Sequence, residues 1–183
     1  IQHGVSGAWT QDKVHLADTY AVWGKLSYDR YEKLGIPKEK MKVTGAVSLD
    51  GWGKRNDMIS KYALPLDRGK VILLPILPLS HHRNTSAQMK SNEALLLFES
   101  VAEVISSYKG EVHLLVKCRG EEDRKVYEKW GQKFSHLSFV GDIPLVSLFP
   151  DVDLVVTYFS TIIIEALMVK KSVVVANFSD EPE

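Results

Sequence analysis

The sequence predicts an α/β protein, a parallel sheet with helices on both faces, preceded by part of a second α/β domain. Three observations predict it. From Lys70 onward, short apolar runs alternate with longer stretches of helical period. Val71–Leu74, Leu154–Val156 and Val173–Val175 are apolar throughout, as strands buried on both faces are, and Val112–Val116 is apolar except at His113. Glycine or proline closes most of these units, at Pro75, Gly110 and Gly141.

Residues 1–48 read as the tail of the first domain. Ile1–Val5 resembles a strand end running into a loop, and Tyr20–Trp23 a short strand stopped by Gly24. Leu26–Leu34 has helical character, with Gly35 placed for the C-terminal cap and Pro37 preventing continuation. Lys42–Thr44 is a further short strand closed by Gly45. Residues 49–68, punctuated by Gly51, Gly53 and Pro65, read as a linker.

Residues 69–183 form the second domain. Strand Val71–Leu74 leads through a polar loop containing His81, His82 and Arg83 to a helix over about 87–108. On that helix Ala94, Leu97, Phe98, Val101 and Ile105 share one face. Strand Val112–Val116 precedes a helix over 121–134, whose acidic first turn suits the helix dipole. Strand Leu137–Val140 and a short helix Ile143–Phe149 follow. The last unit is strand Leu154–Val156, a turn at Phe159-Ser160, a helix and strand Val173–Val175. Right-handed crossovers then build the sheet, and ligands belong at the carboxyl ends of its strands.

Composition excludes several classes. Lysine plus arginine and aspartate plus glutamate both number 23, so the formal net charge is zero, against the basic excess that nonspecific nucleic-acid binding needs. No apolar run approaches the ~20 residues of a membrane span. The single Cys118 excludes an internal disulfide and fits a reducing, cytoplasmic compartment. The start at Ile1, in mid-pattern, and the stop just after a strand suggest a piece of a longer protein.

Candidate site residues lie at the carboxyl ends of the strands. Ser160 is placed as an N-cap with Thr161 beside it, and a helix start with free N–H groups is a site for an anion such as a diphosphate. The same residues also make an ordinary cap. Glu165, one turn into that helix among Ile163, Ile164 and Leu167, is either an ordinary helix glutamate or a carboxylate kept for a ligand. Lys117 and Arg119 end the strand Val112–Val116 as a surface pair or as counter-charges to phosphate. His81 and His82 have no third ligand at usable spacing, so no metal is expected.

Four segments carry a resemblance: Val140-Gly141-Asp142 with the short helix behind it, Asp153–Thr157, the Ser160–Leu167 turn and helix, and Val173–Val175. Together they resemble the nucleotide-binding C-terminal half of GT-B glycosyltransferases, a Rossmann-like domain. The nearest branches are the UDP-N-acetylglucosamine 2-epimerases and the CDP-glycerol glycerophosphotransferases. Gln2-His3-Gly4, Ala17–Gly24, Gly35-Ile36 and Val43–Gly45 resemble the end of the N-terminal acceptor domain of that group. The chain departs from it at Lys170-Lys171-Ser172, where Gly-Lys-Pro is usual, and at Lys117-Cys118-Arg119, where Lys-x-His-Pro is usual in one branch.

The resemblance implies a nucleotide base against Gly141, Asp142 and Ile143, a diphosphate on Ser160 and Thr161, and ribose hydroxyls on Glu165. It implies His3 as general base toward an acceptor hydroxyl, although His3 is equally a satisfied loop histidine. The activity it implies first is metal-independent glycosyl transfer, without a cofactor, from a nucleotide-diphospho-sugar donor to a glycan or lipid-linked acceptor, as in polysaccharide biosynthesis. Peripheral membrane contact would pass through the rest of the N-terminal domain. Epimerisation of a sugar nucleotide and transfer of a polyol phosphate from a CDP donor are the alternatives. A noncatalytic α/β interaction module is the alternative of another class.

Overall fold

The computed structural model describes residues 17–46, 49–50, 69–76, 91–158 and 160–176. His3, His81, His82, Arg83 and the linker over 51–68 lie outside the described residues. The chain divides into two compact units, residues 1–54 with 85–88 and residues 55–84 with 89–183.

In the first unit, β1 (Tyr20–Val22) and β2 (Met41–Val43) pair in parallel, Tyr20 opposite Met41. Helix α1 (Lys25–Lys33) connects them. Val22, Tyr31, Ile36 and Met41 form a small buried cluster, with Tyr20, Tyr28 and Leu34 packed on it. The predicted cap is present. Gly35 takes φ +87°, a left-handed conformation that glycine adopts without strain, and the Ile36 N–H bonds back to the Tyr31 carbonyl at 3.1 Å.

The second unit is a five-stranded parallel sheet flanked by helices. Its elements are β3 (Lys70–Pro75), α2 (Ser91–Ser107), β4 (Val112–Lys117), α3 (Glu121–Gly131), β5 (Leu137–Val140), β6 (Leu154–Thr157), α4 (Ile162–Met168) and β7 (Ser172–Val175). The strand order is β5-β4-β3-β6-β7. The chain therefore winds outward from β3 to β5, then returns across the start to add β6 and β7. Register runs from Lys70 opposite Val112 to Pro75 opposite Lys117 on one side of β3, with Ile72 opposite Leu154 on the other. The winding reverses between β3 and β6, and in open sheets that reversal opens a crevice at the carboxyl ends.

The apolar face read along α2 is the buried one: Ala94, Leu97, Phe98 and Ile105 all lie inside. Leu97, Phe98 and Ile105 join Leu114, Val116 and Cys118 of the β4 segment and Tyr127 of α3 in one core cluster. Phe98 meets Tyr127 edge to face, with ring centroids 5.4 Å apart, and Phe134 likewise at 6.0 Å. Leu115, next to Leu114 and Val116, is also fully buried, so β4 is covered on both faces as its apolar run predicts.

The structure corrects three sequence expectations. The short helix expected over Ile143–Phe149 is two 3₁₀ turns, Leu145–Ser147 and Phe149–Asp151. Pro144 enters in an extended conformation and Pro150 has no N–H to donate, so only i→i+3 bonds close there. Helix α3 stops at Gly131 rather than Phe134. Leaving the helix lets Phe134 turn inward beneath Phe98. Finally, β7 is not buried on both faces. Among the described residues it pairs only with β6, and Val174 and Val175 are 50% and 44% exposed.

Candidate functional site

Among the described residues, the segments that follow β4, β5 and β6 lie at the carboxyl edge of the sheet and carry predicted polar residues. After β6 the chain turns through Tyr158 and Ser160 into α4. The structure places the helix N-cap at Thr161, in helical backbone and without a side-chain capping bond, one residue later than predicted. The Ser160 hydroxyl instead accepts the Ile162 N–H at 3.4 Å, and the Ser160 carbonyl accepts Ile163 N–H at 3.1 Å. With so long a bond, the Ser160 hydroxyl is only lightly engaged by the helix.

Tyr158 was not singled out by sequence, yet it sits at the centre of this corner. Its ring packs against the main core cluster, and its hydroxyl is bonded to the Ser160 hydroxyl. Burial pushes its pKa up to about 12, while the Arg119 guanidinium and the Ser160 bond pull the other way. The available signal was an aromatic hydroxyl one residue beyond a buried strand and two before a serine. Arg119, exposed just beyond β4, acts on Tyr158 through its charge.

Lys117 is arranged differently. Its Nζ donates to the Cys118 carbonyl at 2.6 Å and to the Gly141 carbonyl at 2.5 Å. Burial lowers its pKa, and the Asp142 carboxylate partly offsets this. Gly141 is buried, Asp142 exposed and Ile143 half-buried, and the Ile143 N–H closes a tight turn onto the Gly141 carbonyl at 2.8 Å. Cys118 lies wholly inside the core, where burial pushes its thiol up to about 12, so it is no nucleophile.

Glu165 is half-buried on α4, and burial raises its pKa. Among the described residues its carboxylate has no hydrogen-bond or ion-pair partner. A carboxylate held so is available to an incoming hydroxyl donor. The structure thus brings Lys117 together with the 141–143 turn, and Tyr158 together with Ser160, while Arg119 acts on Tyr158 through its charge. No side-chain hydrogen bond or ion pair links Glu165 to either set among the described residues. Those residues bring no group of three potential metal ligands together, and none of their helices is long and apolar enough to cross a membrane.

The sequence matches no protein-family model and no curated protein. Solved structures do match. Staphylococcus aureus MnaA, solved with UDP, superposes with a TM-score of 0.67 at 18% identity over 90% of this chain and 43% of its own. A candidate UDP-N-acetylglucosamine 2-epimerase from Listeria monocytogenes gives 0.58 at 17% identity, over 91% of this chain and 44% of its own. The chain spans less than half the length of both. The likeness shows that this chain has the GT-B-like fold of the UDP-N-acetylglucosamine 2-epimerases.

Proposed function

We propose that this chain is the nucleotide-binding half of an enzyme that processes a UDP-sugar, acting as a sugar-nucleotide 2-epimerase. One observation carries the reading. The winding reverses between β3 and β6, and Arg119, Tyr158 and Ser160 follow the carboxyl ends of β4 and β6 beside that reversal. There, the Arg119 charge and the Ser160 and Thr161 hydroxyls and N–H groups take the diphosphate. The 141–143 turn takes the base, and the desolvated Glu165 takes the ribose hydroxyls. The reading assigns no cofactor. The acid and base that move a proton at the sugar carbon belong to the rest of the enzyme.

Sequence alone ranks glycosyl transfer first. The UDP-bound neighbour and the epimerase neighbour favour the other order. Glycosyl transfer stays as the second reading because the Ser160–Leu167 segment resembles that group. It uses the same nucleotide grip and adds His3 as base toward an acceptor hydroxyl.

Calorimetric titration with UDP, CDP, GDP and dTDP tests the grip. UDP is expected to bind, and Ser160→Ala and Glu165→Ala to weaken it. Failure of all four nucleotides to bind sinks the reading, and a preference for CDP favours polyol-phosphate transfer. Incubating the complete enzyme with UDP-N-acetylglucosamine in D₂O then separates the two chemistries. An epimerase exchanges deuterium into the sugar at carbon 2, whereas a transferase leaves that carbon untouched.

A further inference from the structure

Lys117 stands where a phosphate-binding lysine is expected, at the end of β4, but its hydrogen bonds run to main chain. Its ammonium spans two crossovers, donating to Cys118 O at 2.6 Å and to Gly141 O at 2.5 Å. The same two segments are joined by the Cys118 N–H, which donates to Val140 O at 2.8 Å. The Gly141 carbonyl also accepts the Ile143 N–H at 2.8 Å, so the lysine and the turn share one acceptor. Lys117 is also half-buried, whereas Arg119, two residues on, is exposed. A flexible, fully hydrated ammonium suits a phosphate at a rim, while a desolvated one bonded to two carbonyls suits a fixed main-chain brace.

We propose that Lys117 is a positioning residue: it clamps the 141–143 turn to the end of β4 so that the turn presents a fixed surface to the nucleobase, and it leaves the diphosphate charge to Arg119. The proposal rests on the nucleotide-binding reading above. It divides two adjacent basic residues between the two ends of one ligand, which the spacing of Lys117 and Arg119 in the sequence does not do.

The test uses three probes, uridine, UDP and inorganic pyrophosphate, titrated against the unaltered chain, Lys117→Met, Lys117→Gln and Arg119→Met. Lys117→Met is expected to weaken uridine and UDP by the same factor, ~10-fold, for the loss of charge-assisted bonds. Pyrophosphate binding should stay unchanged. Arg119→Met should do the reverse, weakening UDP and pyrophosphate and sparing uridine. If Lys117→Met weakens UDP and pyrophosphate but not uridine, the lysine is a phosphate ligand and the proposal is overturned. Lys117→Gln keeps a donor and serves if the methionine variant does not fold.

Hydrogen exchange gives a readout that needs no ligand. The Ile143 amide should exchange faster in Lys117→Met while amides of α2 stay as they were, and an unchanged Ile143 rate rejects the clamp. If the unaltered chain binds none of the probes, the nucleotide reading fails and takes the base-positioning role with it. The exchange result still decides whether Lys117 holds the turn.

Discussion

Asp153 and Val71, far apart in the chain, are bonded to each other twice. The Asp153 N–H donates to the Val71 carbonyl at 2.9 Å, and the Asp153 carboxylate accepts the Val71 N–H at 2.9 Å. The second carboxylate oxygen meets the Lys70 ammonium at 2.8 Å. This pair sits one residue before Ile72 and Leu154 come opposite each other, and so sets the register of β3 against β6. It therefore fixes the junction at which the winding of the sheet reverses.

Asp153→Ala is expected to destabilise the second unit by ~1 kcal/mol, chiefly through the lost bond to the Val71 N–H, since the exposed ion pair adds little. The Lys70 bond first, and then the Val71 N–H, hold the Asp153 carboxyl below the ordinary aspartate pKa. A carboxylate with a lowered folded pKa contributes stability above its unfolded pKa and loses it as pH falls through the folded value. Urea unfolding should thus show a gap between the unaltered and Asp153→Ala chains at pH 7 that narrows in acid. A gap that widens in acid contradicts this arrangement.

Tyr127→Phe should cost nothing and is expected to stabilise by up to ~1 kcal/mol. The Tyr127 side chain is fully buried, and its hydroxyl has no hydrogen-bond partner among the described residues. Burial accordingly drives its pKa well above the ordinary tyrosine value. The substitution removes the desolvated oxygen and keeps the ring edge against Phe98. A clear drop in melting temperature would show that the hydroxyl is bonded after all.

Lys170→Gly should stabilise by roughly 0.5–1 kcal/mol. Lys170 follows α4 at φ +60°, a left-handed conformation that costs a side chain bearing Cβ. The turn around it is otherwise well bonded, Lys170 N–H to Leu167 O at 3.0 Å and Lys171 N–H to Ala166 O at 2.9 Å. A glycine fits that turn without strain. Thermal denaturation of the variant checks this directly, and a lower midpoint would mean that the lysine side chain earns its place by contacts.

Glu165→Gln tests the desolvated carboxylate. Burial raises the folded pKa of Glu165, so its contribution to stability is complete below the unfolded pKa and is lost as pH rises through the folded value. Glutamine does not ionise. The variant should be more stable than the unaltered chain at pH 7, by less than ~1 kcal/mol for a carboxylate still partly solvated, and equal to it below about pH 4. Melting curves across that range would show the two converging, and parallel curves would place a partner on the carboxylate.

Much of the fold was legible because buried parallel strands announce themselves. Leu114–Val116 and Leu154–Val156 are apolar on both sides, and the face of α2 from Ala94 to Ile105 keeps a strict helical period. Val173–Val175 has the same composition but lies on an edge, because composition reports what a strand tolerates and not how many neighbours it has. The 3₁₀ turns at 145–151 escaped because two prolines break a pattern that is otherwise helical.

The site was legible by position and less so by role. Ser160, Arg119 and Lys117 are visible as polar residues at strand ends, which the α/β alternation already marks. That Lys117 bonds main chain, and that the Tyr158 hydroxyl turns toward Ser160, depends on side-chain directions. No local pattern encodes those directions.

The return of the chain to β3 also orders its assembly. As the polypeptide emerges during synthesis, β3, β4 and β5 can pair with their helix α2 before Leu154 exists. Until then, the strand destined for the middle of the sheet is an edge, with Val71 and Leu73 apolar on one face and Leu74 on the other. That half-sheet is the form most prone to join a second copy of itself. The arrival of Asp153 at Val71 closes the edge, so the residue that sets the register is also the one that ends this exposure.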